Sequence, residues 1–169
     1  MDSFAGKTDK AIKAGVTDKE KMYVIVAIGG ENYGIDVMNV NMISAYTDIR
    51  QVPNAMPYMR GVITIGDTIV PVIDMKVKFD LGASDFTRTT VIVIVTIHDK
   101  MIGLIVDSVL DVATLSLSKI QDTPHFSANI DADCIMGISE VGTRLVIILN
   151  TGKILTRGEL ENFEHKETD

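Results

Sequence analysis

The sequence predicts an all-β protein with only short helices. Val and Ile fill most of the apolar runs, turns separate these runs at short intervals, and the two halves of the chain repeat each other. Hydrophobic residues make up 46% of the 169 residues, which is enough for a packed core. Because tryptophan is absent and other aromatics are few, β-branched side chains must fill that core, which favours sheet over helix.

Apolar runs joined by short polar turns predict four β-hairpins along the chain. Several of the runs are nearly continuous, as in strands that are covered on both faces. The four hairpins span residues 22–37, 61–79, 91–109 and 135–149.

The second hairpin, Gly61–Phe79, turns at Gly66-Asp67, because glycine adopts positive φ at little cost. Clean alternation from Ile73 to Phe79 predicts that its return strand continues to Phe79 with one buried face. Pro71 has no N–H, which predicts an edge or a bulge at that point of the strand.

The segments between the hairpins are shorter and more polar. Thr156 and Glu159 form a capping-box pattern that predicts a short C-terminal helix seated by apolar residues after Asn150. The first 20 residues are predicted to be a mobile polar tail, and residues 21–169 a single domain. Residues 40–46 are expected to form a short strand or a turn of helix. Residues 48–58 and 80–88 are expected to be irregular, and 115–124 a mixed stretch with one helical turn.

An internal duplication organises these elements. Shifted by 69 positions, residues 24–40 align with 93–109 without a gap; shifted by 76, residues 58–74 align with 134–150. Glycines coincide in both alignments, and glycines mark turn geometry rather than general hydrophobicity. Two copies of a short antiparallel unit predict two small barrels, since closure removes exposed strand edges.

Charge and cysteine content exclude several classes of function. A formal net charge of −7 argues against nucleic-acid binding, which needs clustered Lys and Arg. The single cysteine, Cys134, excludes an intramolecular disulfide and fits a reducing compartment. We see no signal-peptide pattern and no apolar run long enough to span a membrane, so we expect a cytoplasmic protein without membrane insertion.

The titratable residues do not form a recognisable catalytic or metal-binding pattern. His98, His125 and His165 have no ligand spacing, so no metal site and no cofactor are predicted. Asp74 and Asp107 lie within apolar runs, but Asn150 replaces Asp74 in the repeat, which favours a structural role. A ligand-binding or catalytic barrel that uses Asp74, Asp107 and His125 is the minor alternative to a non-enzymatic binding module.

Several motifs resemble the CheW family of chemotaxis adaptors. The resemblance covers about Met22 to Phe163 and depends on these segments: Tyr33-Gly34-Ile35-Asp36, Val40-x-x-Ile43, Pro53, Pro57, Gly61-Val62-Ile63, Val70-Pro71-Val72-Ile73-Asp74, Thr90-Val91-Ile92-Val93, Gly103-x-x-Val106-Asp107-x-Val109, Gly137 and Leu145-x-x-Ile148-Leu149-Asn150.

This resemblance implies two intertwined, five-stranded, SH3-like barrels and a scaffold without catalytic activity. Its expected role is to couple the cytoplasmic tip of methyl-accepting chemoreceptors to the regulatory domain of the histidine kinase CheA, a two-component signalling partner. Carried over by position, the partner-binding candidates are Val40, Arg60, Gly61, Gly66, Asp67, Val91 and Val109.

The chain departs from the family pattern at the second hairpin. Where the family usually has an Arg-Gly turn, this sequence has Gly66-Asp67, so an anion replaces a cation. Met42 also stands where the family usually has Glu before Ile43. Reversed charge at a contact changes partner preference. The alternative to the standard adaptor role is therefore a CheW-like scaffold that binds a divergent receptor or kinase.

Overall fold

Ten strands form the body of the protein. The computed structural model describes residues 19–122 and 132–161. The strands are β1 Glu20–Ile28, β2 Glu31–Asp36, β3 Val40–Ala45, β4 Met59–Ile65, β5 Thr68–Asp74, β6 Val91–Ile97, β7 Lys100–Val106, β8 Ser108–Ser116, β9 Ile135–Val141 and β10 Arg144–Leu149.

Helices are few and short in the described ranges. Helix α1 covers Met75–Lys78, and a second helix, α2, covers residues 157–161. Within these ranges, 3-10 turns lie between strands at Val37–Asn39, Leu117–Lys119 and Ala132–Cys134, and a further one, Thr151–Lys153, follows β10. The predicted capping box begins α2: the Thr156 N–H donates to Glu159 Oε1 at 2.8 Å, and the Glu159 N–H donates to Thr156 Oγ1 at 3.1 Å.

Each sheet combines strands from both repeats. Barrel 1 has the order β8-β1-β2-β10-β9, and barrel 2 has the order β3-β6-β7-β5-β4. The first hairpin of one repeat therefore joins the last three strands of the other. This exchange confirms the predicted pair of intertwined five-stranded barrels.

Equivalent backbone bridges close both barrels. After β3, Arg50 exchanges two backbone hydrogen bonds with Val62 of β4, at 2.9 and 2.8 Å. After β8, Gln121 makes the same pair of bonds with Ile138 of β9, both at 2.8 Å. Each bridge connects the chain after one outer strand of its sheet to the other outer strand, and so closes the barrel at that point.

Three apolar clusters fill the described part of the protein. One lies within barrel 2 and includes Ile63, Val70, Ile92 and Ile94; a second lies within barrel 1 and includes Tyr23, Ile25, Val146 and Ile148. The third and largest, the shared core, takes alternate residues from both sheets, such as Val24 and Val93. The central strands are thus buried on both faces, which explains their continuous apolar sequences.

The prediction for Ile73–Phe79 is wrong. Strand β5 ends at Asp74, and the next four residues form α1. The Asp74 carboxylate accepts hydrogen bonds from the Lys76 and Val77 N–H groups, which makes Asp74 the N-cap of the helix. The alternating apolar residues remain mostly buried, but on a helical turn rather than on a strand.

Pro71 lies where only one side of β5 is paired. It stands opposite Val62 of β4, whereas the parallel pairing with β7 begins at Val72. The missing N–H therefore interrupts no bond to β7, and the predicted edge is confirmed.

The third hairpin is also shorter than predicted. Strand β7 ends at Val106, and Ser108–Ser116 form β8, which pairs with β1 of the other repeat. The Asp107 N–H donates to the Ala27 carbonyl at 2.9 Å, which turns the chain from one barrel into the other. Only the two ends of β8 fall within predicted elements, namely the return strand to Val109 and the mixed stretch from Leu115. No strand was predicted for residues 110–114, because the polar and apolar residues of β8 do not alternate cleanly.

Candidate interaction surfaces

Three of the predicted partner-binding residues lie beside the shared core. Val40 pairs with Val95, and Val109 pairs with Val26, so their side chains lie on the same faces as those core residues. Val91 packs against the same core. All three are only partly buried, so they belong to the rim of the inter-barrel core rather than to its centre.

Exposed apolar side chains extend this rim on both sheets. Ile43 of β3 pairs with core residue Val93 and is 43% exposed, and Val112 of β8 pairs with core residue Val24 and is 47% exposed. We call Val40, Ile43, Val91, Val109 and Val112 the rim surface. Val40, Val91 and Val109 were predicted from the sequence as partner-binding residues, whereas Ile43 and Val112 were not. Val112 was missed because the pairing of β8 with β1 was not predicted.

Asp107 links the two sheets at the rim surface, because it binds Thr89 of barrel 2 and Gly29 of barrel 1. The Thr89 hydroxyl, two residues before Val91, donates to the Asp107 carbonyl, two residues before Val109, at 2.9 Å. Asp107 also accepts from the Gly29 N–H through Oδ2 at 2.9 Å. Val91 and Val109 are therefore brought near each other, and Asp107 has the structural role that the sequence favoured.

The other predicted residues lie on the β4–β5 hairpin, at the β4 end of the strand order of barrel 2. Arg60 stands at the start of β4, and Gly66-Asp67 form the exposed turn at its other end, with Gly66 at φ 59°. Six residues of extended chain separate Arg60 from Gly66, or about 20 Å. The seven candidates thus fall on the rim surface, at Arg60-Gly61 and at the hairpin turn, rather than in one site.

Arg60 is held by a buried carboxylate. Its Nε and Nη2 donate to Asp74 Oδ2 at 3.2 and 3.1 Å, and the Ser84 hydroxyl donates to the same oxygen. The Asp74 side chain is 2% exposed, whereas that of Arg60 is 40% exposed. Asp74 therefore holds Nε and Nη2 of the guanidinium group in place, while part of the group stays accessible to a partner.

An aromatic pair extends the Arg60 surface. The Arg60 guanidinium carbon lies 5.0 Å from the centre of the Phe86 ring, a distance at which a cation and an aromatic face attract. Phe86 stacks on Tyr46 with 4.5 Å between ring centroids. Sequence reasoning predicted a surface role for Arg60 but missed Ser84, Phe86 and Tyr46, which lie in segments predicted only as loops or strand ends.

Gly61 has a structural explanation. A Cβ at this position would lie 2.1 Å from the Arg50 carbonyl oxygen, and its φ is 148°. Because that carbonyl accepts the barrel-closing bond from Val62, no larger residue fits without opening the bridge. Gly61 is buried, so any effect on a partner would act through barrel closure.

The minor enzymatic alternative finds little support in the described residues. Asp74 binds Arg60, Ser84 and the start of α1, and Asp107 binds the Gly29 N–H. His125 lies outside the described residues. Among the residues that the structure does describe, no group of three or more His, Cys, Asp and Glu could hold a metal ion. No described helix is long and apolar enough to cross a membrane.

Known proteins share this sequence and fold. A family model described as the CheW-like domain matches residues 22–159. The chain is 29% identical to the chemotaxis protein CheW of Klebsiella aerogenes over 157 residues, covering 93% of this chain and 94% of that protein. It is 30% identical to CheW of Bacillus subtilis over 147 residues, covering 85% of this chain and 92% of the relative.

A solved structure supports the same assignment. The crystal structure of the scaffolding protein TtCheW from Thermoanaerobacter tengcongensis matches with a TM-score of 0.75 and 28% identity, covering 83% of this chain and 91% of that one. These similarities confirm the predicted resemblance, the two SH3-like barrels and the non-enzymatic scaffold class. The chain belongs to the CheW-like family of chemotaxis adaptor proteins.

Proposed function

We propose that the chain is a cytoplasmic adaptor that couples chemoreceptors to a CheA-type histidine kinase. The CheW-like match across residues 22–159 carries this proposal, because the relatives are named as chemotaxis and scaffolding proteins. In this arrangement the receptor's cytoplasmic tip binds the rim surface, and the kinase regulatory domain binds barrel 2 along the β4–β5 hairpin.

The rim surface has the chemistry that a helical receptor tip needs. Ile43 and Val112 expose apolar side chains next to the partly buried Val40, Val91 and Val109. An amphipathic helix buries its apolar face on such a surface, with anchors at successive turns. Exposed apolar side chains that adjoin a core commonly mark protein–protein contacts.

Ile43→Asp tests the receptor assignment. Placing a charge on the rim surface should weaken binding to a receptor cytoplasmic fragment by at least about tenfold, because the carboxylate would be desolvated in the complex. Isothermal titration with purified fragment measures this. Leu145→Asp is the matched control, since Leu145 is 54% exposed but lies on β10. Equal weakening by both variants, or none by Ile43→Asp, would contradict the assignment.

The Gly66-Asp67 turn favours a kinase partner that differs from the one used by relatives with an Arg-Gly turn. Replacing these residues with Arg-Gly should tighten binding to the CheA regulatory domain of such a relative by about thirtyfold, since a desolvated Arg contributes about 2 kcal/mol. The Arg side chain is disfavoured at φ 59°, so the turn must adjust.

The equivalent turn in the second repeat provides the control for this exchange. Gly142 has φ 64° and is followed by Thr143, so Arg-Gly placed there imposes similar strain on the other barrel. The expected result is a change of partner preference for the exchange at 66–67 alone. An unchanged binding profile would mean that the turn does not select the kinase.

A further inference from the structure

Three polar side chains meet where α2 packs against the start of β4. The Tyr58 hydroxyl donates to Glu159 Oε2 at 2.6 Å, and Lys78 Nζ donates to the same oxygen at 3.1 Å. The Lys78 ammonium also lies 4.5 Å from the centre of the Tyr58 ring. We call Tyr58, Lys78 and Glu159 the clasp; they connect α2, α1 and the residue that precedes β4.

The clasp is sheltered from solvent. The Lys78 and Glu159 side chains are 17% and 24% exposed. Partly buried ion pairs with shared hydrogen bonds are screened less than surface pairs, so this contact contributes more than a typical surface salt bridge. The clasp therefore forms a defined connection between the C-terminal helix and the barrels.

Glu159 uses its two oxygens for two purposes. Oε1 caps the N-terminus of α2 by accepting from the Thr156 N–H, while Oε2 accepts from Tyr58 and Lys78. Burial opposes ionisation of Glu159, but hydrogen bonds from Tyr58, the Thr156 N–H and Lys78 outweigh it and lower the pKa of this carboxyl group from its ordinary value. The carboxylate is therefore charged at neutral pH and joins the start of α2 to β4.

Tyr58 continues this connection to Arg60. Its backbone carbonyl accepts a hydrogen bond from the Asp74 N–H at 2.7 Å, and the Asp74 side chain holds Arg60. A short chain of bonds thus runs from Glu159 through Tyr58 and Asp74 to the guanidinium group.

The second repeat shows that the barrel fold does not require the side-chain contact that Tyr58 makes with Glu159. Cys134 occupies the equivalent position there. The same backbone bond occurs there, where the Asn150 N–H donates to the Cys134 carbonyl at 2.7 Å. The Cys134 thiol, however, donates to the Lys153 carbonyl at 3.1 Å. The repeats therefore share the backbone bond and differ in what the side chain connects.

We propose that Tyr58 and Glu159 are positioning residues that couple the docking of α2 to the Arg60 surface, so that kinase binding there depends on a closed clasp. The partner part of this inference rests on the proposed function. The intramolecular part concerns the free protein alone.

Amide hydrogen exchange of the free protein tests the coupling. Tyr58→Phe removes one hydrogen bond to a charged group and keeps the ring, so exchange of the Asp74 and Leu160 amides should accelerate by about tenfold. The Asn150 amide, which makes the equivalent bond in the second repeat, should be unaffected. Glu159→Gln, which retains a capping side chain, should give the same pattern, and Glu161→Gln on the exposed face of α2 should not.

Faster exchange at Leu160 without any change at Asp74 would overturn the coupling, and so would equal acceleration at Asp74 and Asn150. In the partner arm, Tyr58→Phe should weaken binding to the CheA regulatory domain several-fold, while Glu161→Gln binds like the wild type. If exchange accelerates at both Asp74 and Leu160 but the affinity for the CheA regulatory domain does not change, the clasp does not control kinase binding. Failure of the wild type to bind would refute the proposed kinase contact instead, and the exchange result would still decide the coupling.

Discussion

Gly61→Ala should lower the free energy of unfolding by about 3 kcal/mol, the sum of overpacking and a strained backbone. The new Cβ would lie 2.1 Å from the Arg50 carbonyl oxygen and 2.7 Å from its carbonyl carbon. Both atoms belong to the backbone, so no side-chain rotation relieves the contact, and the bridge that closes barrel 2 must open. Urea denaturation followed by circular dichroism measures the loss.

Gly66→Ala separates steric contact from backbone conformation. Gly66 also has a positive φ, 59°, but a Cβ there would meet nothing within 4 Å. Its replacement should cost about 1 kcal/mol, the usual penalty of a left-handed conformation. Equal losses for Gly61→Ala and Gly66→Ala would show that the approach to Arg50 contributes nothing to stability.

Asp74→Ala should also be among the most damaging substitutions, with a loss of about 3 kcal/mol. The change removes the N-cap of α1 and leaves the hydrogen-bonding groups of Ser84 and Arg60 without their acceptor. The cost stays below that of isolating a fully buried charge, because the 40% exposed Arg60 can turn to solvent. The midpoint of chemical denaturation measures this change as well.

The repeat supplies the control for Asp74. Asn150 occupies the equivalent position before the 3-10 turn Thr151–Lys153, and its side chain makes no capping hydrogen bond. Asn150→Ala should therefore cost less than about 1 kcal/mol. A loss at Asn150 as large as that at Asp74 would mean that the position, rather than the carboxylate and its partners, provides the stability.

Local patterns predicted the hairpins well. The boundaries of β6, β9 and β10 follow directly from their apolar runs and from the turns that separate them. The duplication was also visible, because both barrels need glycine at the same places: Gly61 and Gly137 approach the carbonyls of the closing bridges. Such requirements are local, so the sequence displays them.

The exchange of hairpins between repeats could not be derived from the residues alone. Strands β1 and β6 carry similar sequences, and β3 and β8 are equivalent strands of the two repeats. Nothing in the sequence of β1 or β6 indicates whether it pairs with β3 or with β8. The family resemblance supplied the intertwined arrangement. The same long-range pairing hid β8 and, with it, Val112 on the rim surface.

The error at Ile73–Phe79 arose from one side chain. Apolar residues at alternate positions predict a strand, but a carboxylate at Asp74 can bind the next N–H groups and begin a helical turn. The Arg60–Asp74 pair, by contrast, was within reach of the sequence. A regular hairpin centred on Gly66-Asp67 places Asp74 opposite Met59, next to Arg60. A bulge at Arg60 shifts the observed register to Met59–Ile73, so Asp74 stays close to Arg60.

Reconstitution of the three-part assembly tests the adaptor function most directly. Vesicles carrying a chemoreceptor are mixed with the CheA-type kinase of the same organism, with and without this chain, and sedimented. The kinase should sediment with the receptor only when the chain is present, and the Ile43→Asp variant should abolish this recruitment. Two results would contradict the adaptor function. In one, the kinase sediments with the receptor whether or not the chain is present; in the other, the kinase does not sediment even with the wild-type chain at tens of micromolar.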